Sequence, residues 1–261
     1  NDSWARDHGP ITILKNGKPT LLDFTFNAWG GKFGANLDNQ ITRELYQLGA
    51  FATTPIETVD MILEGGGIES DGKDTLLTTS ACLLTDTRNP ELGKQQIEQR
   101  LCKLFGLKRI LWLEHGYLAG DDTDSHIDTL ARFCNENTII YVSCDDPEDE
   151  HYPVLHAMEQ QLQSFRTTAG EPYQLIALPW PDIKYNAQGD KLPASYANFL
   201  IINGAVLAPT YDDPQDALAL QRIQQGFPDR DVIGINCLPL ILQFGSLHCV
   251  TMQLPQGVLT H

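Results

Sequence analysis

The sequence predicts an α/β fold assembled from a repeated unit of short strands and one helix. Three observations carry that prediction. Helical apolar periodicities recur at intervals of roughly 50 to 65 residues. Each is set among short strand-like runs, and each is bounded by Gly or Pro. A doubly wound sheet would instead alternate single strands with helices. No stretch rich in Gly, Ser or Pro divides the chain, so residues 1–261 are read as a single domain.

Residues 11–26 alternate on either side of Asn16-Gly17, an apt hairpin turn between two strands. A helix over about 38–48 places Ile41, Leu45 and Leu48 on one face, and Gly49 stops it. Met61-Ile62-Leu63 and Thr75 to Thr79 read as strands flanking the turn Glu64-Gly65-Gly66-Gly67. Asn89-Pro90 opens a helix carrying Ile97, Leu101 and Leu104, which Gly106 ends. Strands near 108–113, 127–133 and 138–143 precede a helix from about 152, with Leu155, Met158, Leu162 and Phe165 on its apolar face. Strands near 173–178, 197–202 and 205–209 precede a helix opened by Asp213-Pro214 and closed by Gly226. Strands near 231–235, 239–243 and 247–253 finish the chain. The first unit reads as incomplete, because its polar motif starts at the first residues, and this predicts that an upstream segment has been removed. Residues 179–193, with Pro179, Pro181, Asn186, Gly189 and Pro193, read as a long exposed loop near a site mouth.

Composition narrows the partners. Eighteen Lys and Arg against 34 Asp and Glu give a formal charge of −16, which argues against nucleic acid or an anionic membrane and is compatible with attracting a small cation. No apolar run approaches the roughly 18 to 20 residues of a membrane span. Six cysteines (Cys82, Cys102, Cys134, Cys144, Cys237 and Cys249) are scattered without a CxxC pair, so a reducing, cytoplasmic setting is expected.

Four stretches hold residue types that do chemistry. The run Asp121 to Asp128 lacks the glycine and the final Glu of an EF-hand loop, and it holds one His where a zinc site needs more. A solvated acidic loop and a non-catalytic metal-binding module stay open as alternatives for it. Its edge, His126-Ile127-Asp128, runs into Leu130 to Phe133, so strand alternation would turn His126 and Asp128 to one face. Asp7 lies near Trp4, and a carboxylate beside an indole suits a planar cation that can stack and pair at once. Glu64-Gly65-Gly66-Gly67 lets backbone pass close to another group, and it lacks the Lys of a phosphate loop. Cys249 needs a nearby base to become a nucleophile. On a strand His248 would point away from it, which leaves His126 as the better partner.

Together these stretches resemble the agmatine deiminase family, which includes bacterial-type peptidylarginine deiminases within the guanidine-modifying (pentein) superfamily. The matching residues run through the chain in order: Asp2 to Pro10, Leu63 to Ile68, Asp71-Gly72, Thr78 to Leu84, Arg88-Asn89-Pro90, Gly120 to Phe133 and Ala194 to Phe199. They continue with Asn203 to Leu207, Pro209-Thr210, His248 to Thr251, Gln253 and Pro255. Glu69 departs from the pattern, standing where many members carry a His. Phe244-Gly245-Ser246-Leu247 also departs from a more usual Gly-Gly-Gly-Asn-Ile. The resemblance implies a five-bladed α/β propeller of ββαβ-type repeats, of which the N-terminal blade is incomplete or missing here. It implies Cys249 as nucleophile, His126 as general acid/base and Asp7 and Asp128 as guanidinium clamps, with Trp4 and, more weakly, Glu64 near the substrate. The implied reaction is hydrolysis of agmatine to N-carbamoylputrescine and ammonia, a step toward putrescine. Peptidyl-arginine or free arginine is the alternative substrate. No metal or cofactor is expected; the partner is a small cationic guanidino compound, and a homodimer is compatible with the resemblance.

Overall fold

Asn16 and Gly17 both take positive φ, 53° and 75°, as a two-residue hairpin turn matched to strand twist requires. They set the first unit of the computed structural model, which describes residues 2–260. One helical turn, α1 (Ala5–His8), precedes β1 (Ile11–Lys15) and β2 (Lys18–Thr25), which pair antiparallel from Lys15–Lys18 back to Ile11–Leu22. A kinked turn, α2 (Ala28–Gly31), and α3 (Ile41–Gln47) then carry the chain across to β3 (Ile56–Ile62), which returns parallel to β2.

The same plan recurs three times. β4 (Ile68–Ser70) and β5 (Thr75–Thr79) form a hairpin, followed by α4 (Ser80–Leu83), α5 (Lys94–Phe105) and the parallel return β6 (Arg109–Leu113). β7 (Ala131–Asn135), β8 (Thr138–Val142), α6 (Tyr152–Ser164) and β9 (Gln174–Leu178) repeat it. After a two-stranded hairpin, β10 (Lys184–Tyr185) with β11 (Lys191–Leu192), come β12 (Leu200–Ile202), β13 (Ala205–Thr210), α7 (Asp216–Gly226) and β14 (Asp231–Asn236). The described residues thus hold four ββαβ units, each a three-stranded mixed sheet with its hairpin's second strand in the middle. That central strand is covered on both sides, and accordingly every residue of β5 and β8 is buried. Leu155, Met158 and Leu162 of α6 are buried, as their spacing predicts, in a core shared by the second, third and fourth units.

Several expectations are corrected. Residues 239–243 are not a strand. Pro239 sits in the first turn of the short helix α8 (Leu238–Ile241), where its missing N–H costs nothing. Residues 247–253 are not a strand either. No neighbouring strand takes their backbone donors; instead Asn198 Oδ1 accepts from His248 N at 2.8 Å, and Val250 N donates to Ser246 O within a turn. Residues 127–129 form a single 3-10 turn, so β7 begins only at Ala131. α5 starts at Lys94 rather than at Asn89-Pro90. The Asn89 side chain is occupied in both directions by the backbone of Ile62, while Gln96 Oε1 accepts from Gly93 N and starts the helix. Residues 179–193 carry β10 and β11 rather than a plain loop. α3 buries Thr42 and leaves Leu45 and Leu48 exposed at 39% and 81%.

The contrast between α3 and α6 gives a stability test. Met158→Ala should lose about 2–5 kcal/mol, because a fully buried side chain leaves a cavity. Leu48→Ala should stay within about 0.5 kcal/mol. Denaturant unfolding of the two variants checks both values.

Candidate active site

The glycine turn 65–67 is the hub of the site. Its backbone runs so close to other groups that no side chain fits. A Cβ on Gly66 would stand 2.6 Å from His126 Nδ1, 2.8 Å from Asp7 Oδ1 and 3.1 Å from Asp128 Oδ2. A Cβ on Gly65 would overlap the Arg6 carbonyl, and one on Gly67 would stand 3.0 Å from Cys82 Sγ. The close approach expected of Glu64-Gly65-Gly66-Gly67 is therefore to the very residues singled out elsewhere in the chain. Asp7 arrives on α1, His126 and Asp128 on the 3-10 turn before β7, and Cys249 on the turn after α8. It is turns, not strand alternation, that bring His126 and Asp128 together.

Asp7 is held by two donors, Gly66 N at 2.9 Å on Oδ1 and Trp29 Nε1 at 3.0 Å on Oδ2. Burial, with the neighbouring charge of Asp128, still raises it well above the usual carboxylate range. Asp128 Oδ2 lies 2.7 Å from His248 Nδ1 and 3.9 Å from Cys249 Sγ, while its Oδ1 is buried with no hydrogen-bond partner. Burial pushes Asp128 up to about 7, against the pull of Arg132 and Arg6. Burial also lifts the Cys249 thiol well above its ordinary value, and Asp128 and Asp7 add to that. His126 is driven the other way: burial first, then Arg88 and Lys32, keep it neutral. Its Nδ1 stands 3.6 Å from Asp7 Oδ1 and its Nε2 has no hydrogen-bond partner. A protonated thiol, a neutral imidazole and two carboxylates reluctant to ionise are thus packed together, a set that a cation would reorganise.

Glu64 stands apart from the cleft. Both of its oxygens are taken by Arg88 Nε at 3.0 and 2.9 Å, in a fully buried pair. Arg88 reaches on to Asp124 Oδ2 at 2.7 Å and the Thr123 carbonyl at 2.9 Å, tying the glycine turn to the acidic loop. Glu64, Cys82 and His126 offer ligand atoms within 4.8 Å of one another. The Arg88 guanidinium already neutralises this carboxylate, which disfavours a metal cation there. The acidic loop does not gather its carboxylates on one point. Asp121 accepts from Thr123 and Ser125, Asp124 pairs with Lys32 and Arg88, and Asp128 with His248.

Above this floor opens a cleft of about 590 Å³. Its wall includes Asp2, Trp4, Asp7, Trp29, Phe244 and Cys249. The Trp4 ring packs against Gly245, where a Cβ would come within 2.5 Å of it. Residues 179–193 do not reach this cleft. Sequence reasoning passed over Trp29, whose indole N–H holds Asp7. The signal for it was Asn27-Ala28-Trp29-Gly30-Gly31, an aromatic residue in a turn-forming run, and Ala28 and Trp29 both take φ of 55°. Asn198 was also missed, although its Oδ1 lies 3.5 Å from Cys249 Sγ as well as accepting from the turn.

Residues 1–255 match the family described as Porphyromonas-type peptidyl-arginine deiminase. The chain is 34% identical to the agmatine deiminase of Pseudomonas fluorescens over 98% of its own length and 75% of that protein. Among solved structures, the "putative arginine deiminase" from Porphyromonas gingivalis is 55% identical, with a TM-score of 0.96, over 100% of this chain and 77% of that one. An agmatine deiminase variant from C. jejuni with substrate bound is 44% identical, with a TM-score of 0.90, over 96% of this chain and 72% of that one. With its ββαβ units and this likeness in sequence and structure, the chain belongs to the Porphyromonas-type peptidyl-arginine deiminase and agmatine deiminase family of guanidine-modifying hydrolases, which has the pentein fold.

Proposed function

We propose that the protein hydrolyses agmatine to N-carbamoylputrescine and ammonia through a covalent intermediate on Cys249. The observation that carries this choice is the charge of the cleft. Asp2, Asp7 and Asp122 stand in its wall, and among the described residues no Lys or Arg lines it. Agmatine is cationic at both ends and suits such a wall. The α-carboxylate of free arginine would face it without a counter-charge. Arginine within a peptide carries no such carboxylate and is the second reading, supported by the name of the matching family.

In the proposed mechanism Asp7 and Asp128 grip the N–H groups of the guanidinium and fix its carbon in front of Cys249 Sγ. The bound cation offsets both carboxylates, which favours loss of the thiol proton, and neutral His126 is the base that takes it. The thiolate adds to the guanidinium carbon. His126 returns the proton to one nitrogen, the C–N bond breaks, and ammonia leaves. A water molecule then gives a proton to His126 and adds to the same carbon. The C–S bond breaks as the hydroxyl proton passes to the departing sulfur, the thiol is regenerated and the neutral ureido product departs. His126 gives up its proton to solvent, where the released ammonia takes it up as ammonium. In this scheme Trp4 and Trp29 wall the guanidinium, and Glu64 supports His126 from behind through the Arg88 network rather than touching substrate.

Ammonia release should be measured side by side on agmatine, free arginine and a blocked arginyl peptide, with Cys249→Ala as control. Turnover of agmatine well above the other two, abolished in the control, is the expected result. Preference for the peptide would move the substrate, and full activity in Cys249→Ala would overturn the nucleophile.

A cation is gripped only by ionised carboxylates, and both clamps are raised by burial. kcat/KM on agmatine should therefore fall on the acid side near 7, to which Asp128 is raised, rather than near 4, with Asp7 raised in the same direction. Gly66→Ala should lower kcat about 100-fold or more, because its Cβ displaces three groups of the site at once. Steady-state assays over a pH series, and of the variant with its circular dichroism recorded, check these two predictions.

A further inference from the structure

His248 is buried, and both of its ring nitrogens are engaged. Nδ1 lies 2.7 Å from Asp128 Oδ2, and Nε2 lies 3.2 Å from Arg132 Nη2. An arginine can only donate, so the bond from Arg132 fixes Nε2 as an acceptor and puts the ring proton on Nδ1. That proton is then donated to Asp128. Arg132 is itself held by several partners. Its Nε meets Glu69 Oε2 at 2.7 Å, its Nη1 donates to the carbonyls of Phe199 at 2.8 Å and Ala197 at 3.2 Å, and its guanidinium lies over the Phe199 ring. The His248 backbone is pinned as well, its N–H donating to Asn198 Oδ1 at 2.8 Å and to Asn198 O at 3.1 Å. A one-way line of donors thus runs from Arg132 through His248 to Asp128.

Its end point is the informative part. With Oδ2 taken by His248, Asp128 Oδ1 is buried and has no hydrogen-bond partner. An unsatisfied buried carboxylate oxygen is costly, and it persists where a ligand supplies the missing donor.

Resting on the deimination reading above, we propose that His248, its tautomer set by Arg132, is a positioning residue that pins one oxygen of Asp128 and so presents the other to an N–H of the guanidinium. It touches no reacting atom. Glu69 serves the same line by holding Arg132.

The test is calorimetric binding of agmatine to the Cys249→Ser protein, in which turnover is stopped, compared with Cys249→Ser carrying His248→Ala, His248→Asn or His248→Gln. The Asn amide places a donor where Nδ1 stood, whereas Gln places its own near Nε2. Loss of a hydrogen bond to a charged group corresponds to about 10- to 100-fold in affinity. The expected result is weakening of that size for Ala and Gln, recovery to within about threefold for Asn, and similar melting temperatures for Asn and Gln. In the active protein, His248→Ala should raise KM by more than it lowers kcat. Equal affinity in all four proteins, or Asn no better than Gln, would overturn the positioning role while leaving deimination in place. Failure of the Cys249→Ser protein itself to bind agmatine would instead remove the substrate reading and this inference with it.

Discussion

Two buried carboxylates facing one another across a glycine turn are the constraint on which the centre of this molecule depends. Asp7 and Asp128 both lie within about van der Waals distance of where a Gly66 side chain would begin. Burying one carboxylate is unfavourable and burying two together is more so. The surrounding residues offset part of that cost. Arg6, Arg88 and Arg132 are all buried around the centre, against Asp7, Glu64, Glu69 and Asp128. Three cations stand against four carboxylates, and two of those cations are committed to Glu64 and Glu69. The centre is left short of positive charge at Asp7 and Asp128, where the proposed substrate would supply it.

Backbone strain gathers at the same place. Ala28, Trp29, Asp124, Ser125 and Phe244 are non-glycine residues at positive φ, a conformation that costs of order 1–3 kcal/mol each and persists only when the surroundings enforce it. Trp29 and Phe244 line the cleft, and Asp124 and Ser125 follow its wall residue Thr123. Each strained segment is tied down by specific bonds, Phe244 by its own N–H, which donates to the Ile241 carbonyl at 2.9 Å. Asn27 Oδ1 accepts from Gly30 N, Asp121 accepts from Thr123 and Ser125, and Lys32 bridges Asp122 O and Asp124. Stability taken up by these turns is spent on aiming an indole N–H at Asp7 and on placing His126.

The repeat was legible because it rests on local periodicity. The apolar spacing of α5 and α6, the Gly226 end of α7 and the Asn16-Gly17 turn read directly as structure, and folding brings Asp7, His126 and Asp128 to one glycine turn with Cys249 Sγ 3.9 Å from Asp128 Oδ2. What escaped was set by distant partners. The segment around Cys249 has the pattern of a strand, but its backbone donors find Asn198, fifty residues away in sequence. On a strand His248 would point away from Cys249; in the turn its Nδ1 lies 2.7 Å from Asp128 Oδ2, the same oxygen that stands 3.9 Å from Cys249 Sγ. Arg88 and Glu64 look like unrelated charges until folding makes them a buried pair, and nothing in local spacing distinguishes such a pair from two surface residues. The exposed face of α3 is the converse case, a helical pattern that local reasoning finds and that the described chain leaves uncovered.

The electrostatics of the free site bear on the direction of the proposed reaction as well as its rate. Burial and two carboxylates keep Cys249 protonated, so the thiol is a poor nucleophile until a cation sits between those carboxylates. A neutral molecule of the same shape would leave the charges unbalanced and the thiol protonated. Under the proposed mechanism reactivity is thereby made conditional on the positive charge of the substrate. In the proposed reaction the ureido product has lost the guanidinium charge, so Asp7 and Asp128 would no longer gain by holding it, and the arrangement that favours attack would also favour release. Selection of substrate, activation of the thiol and departure of product then rest on one quantity, the positive charge that the site lacks.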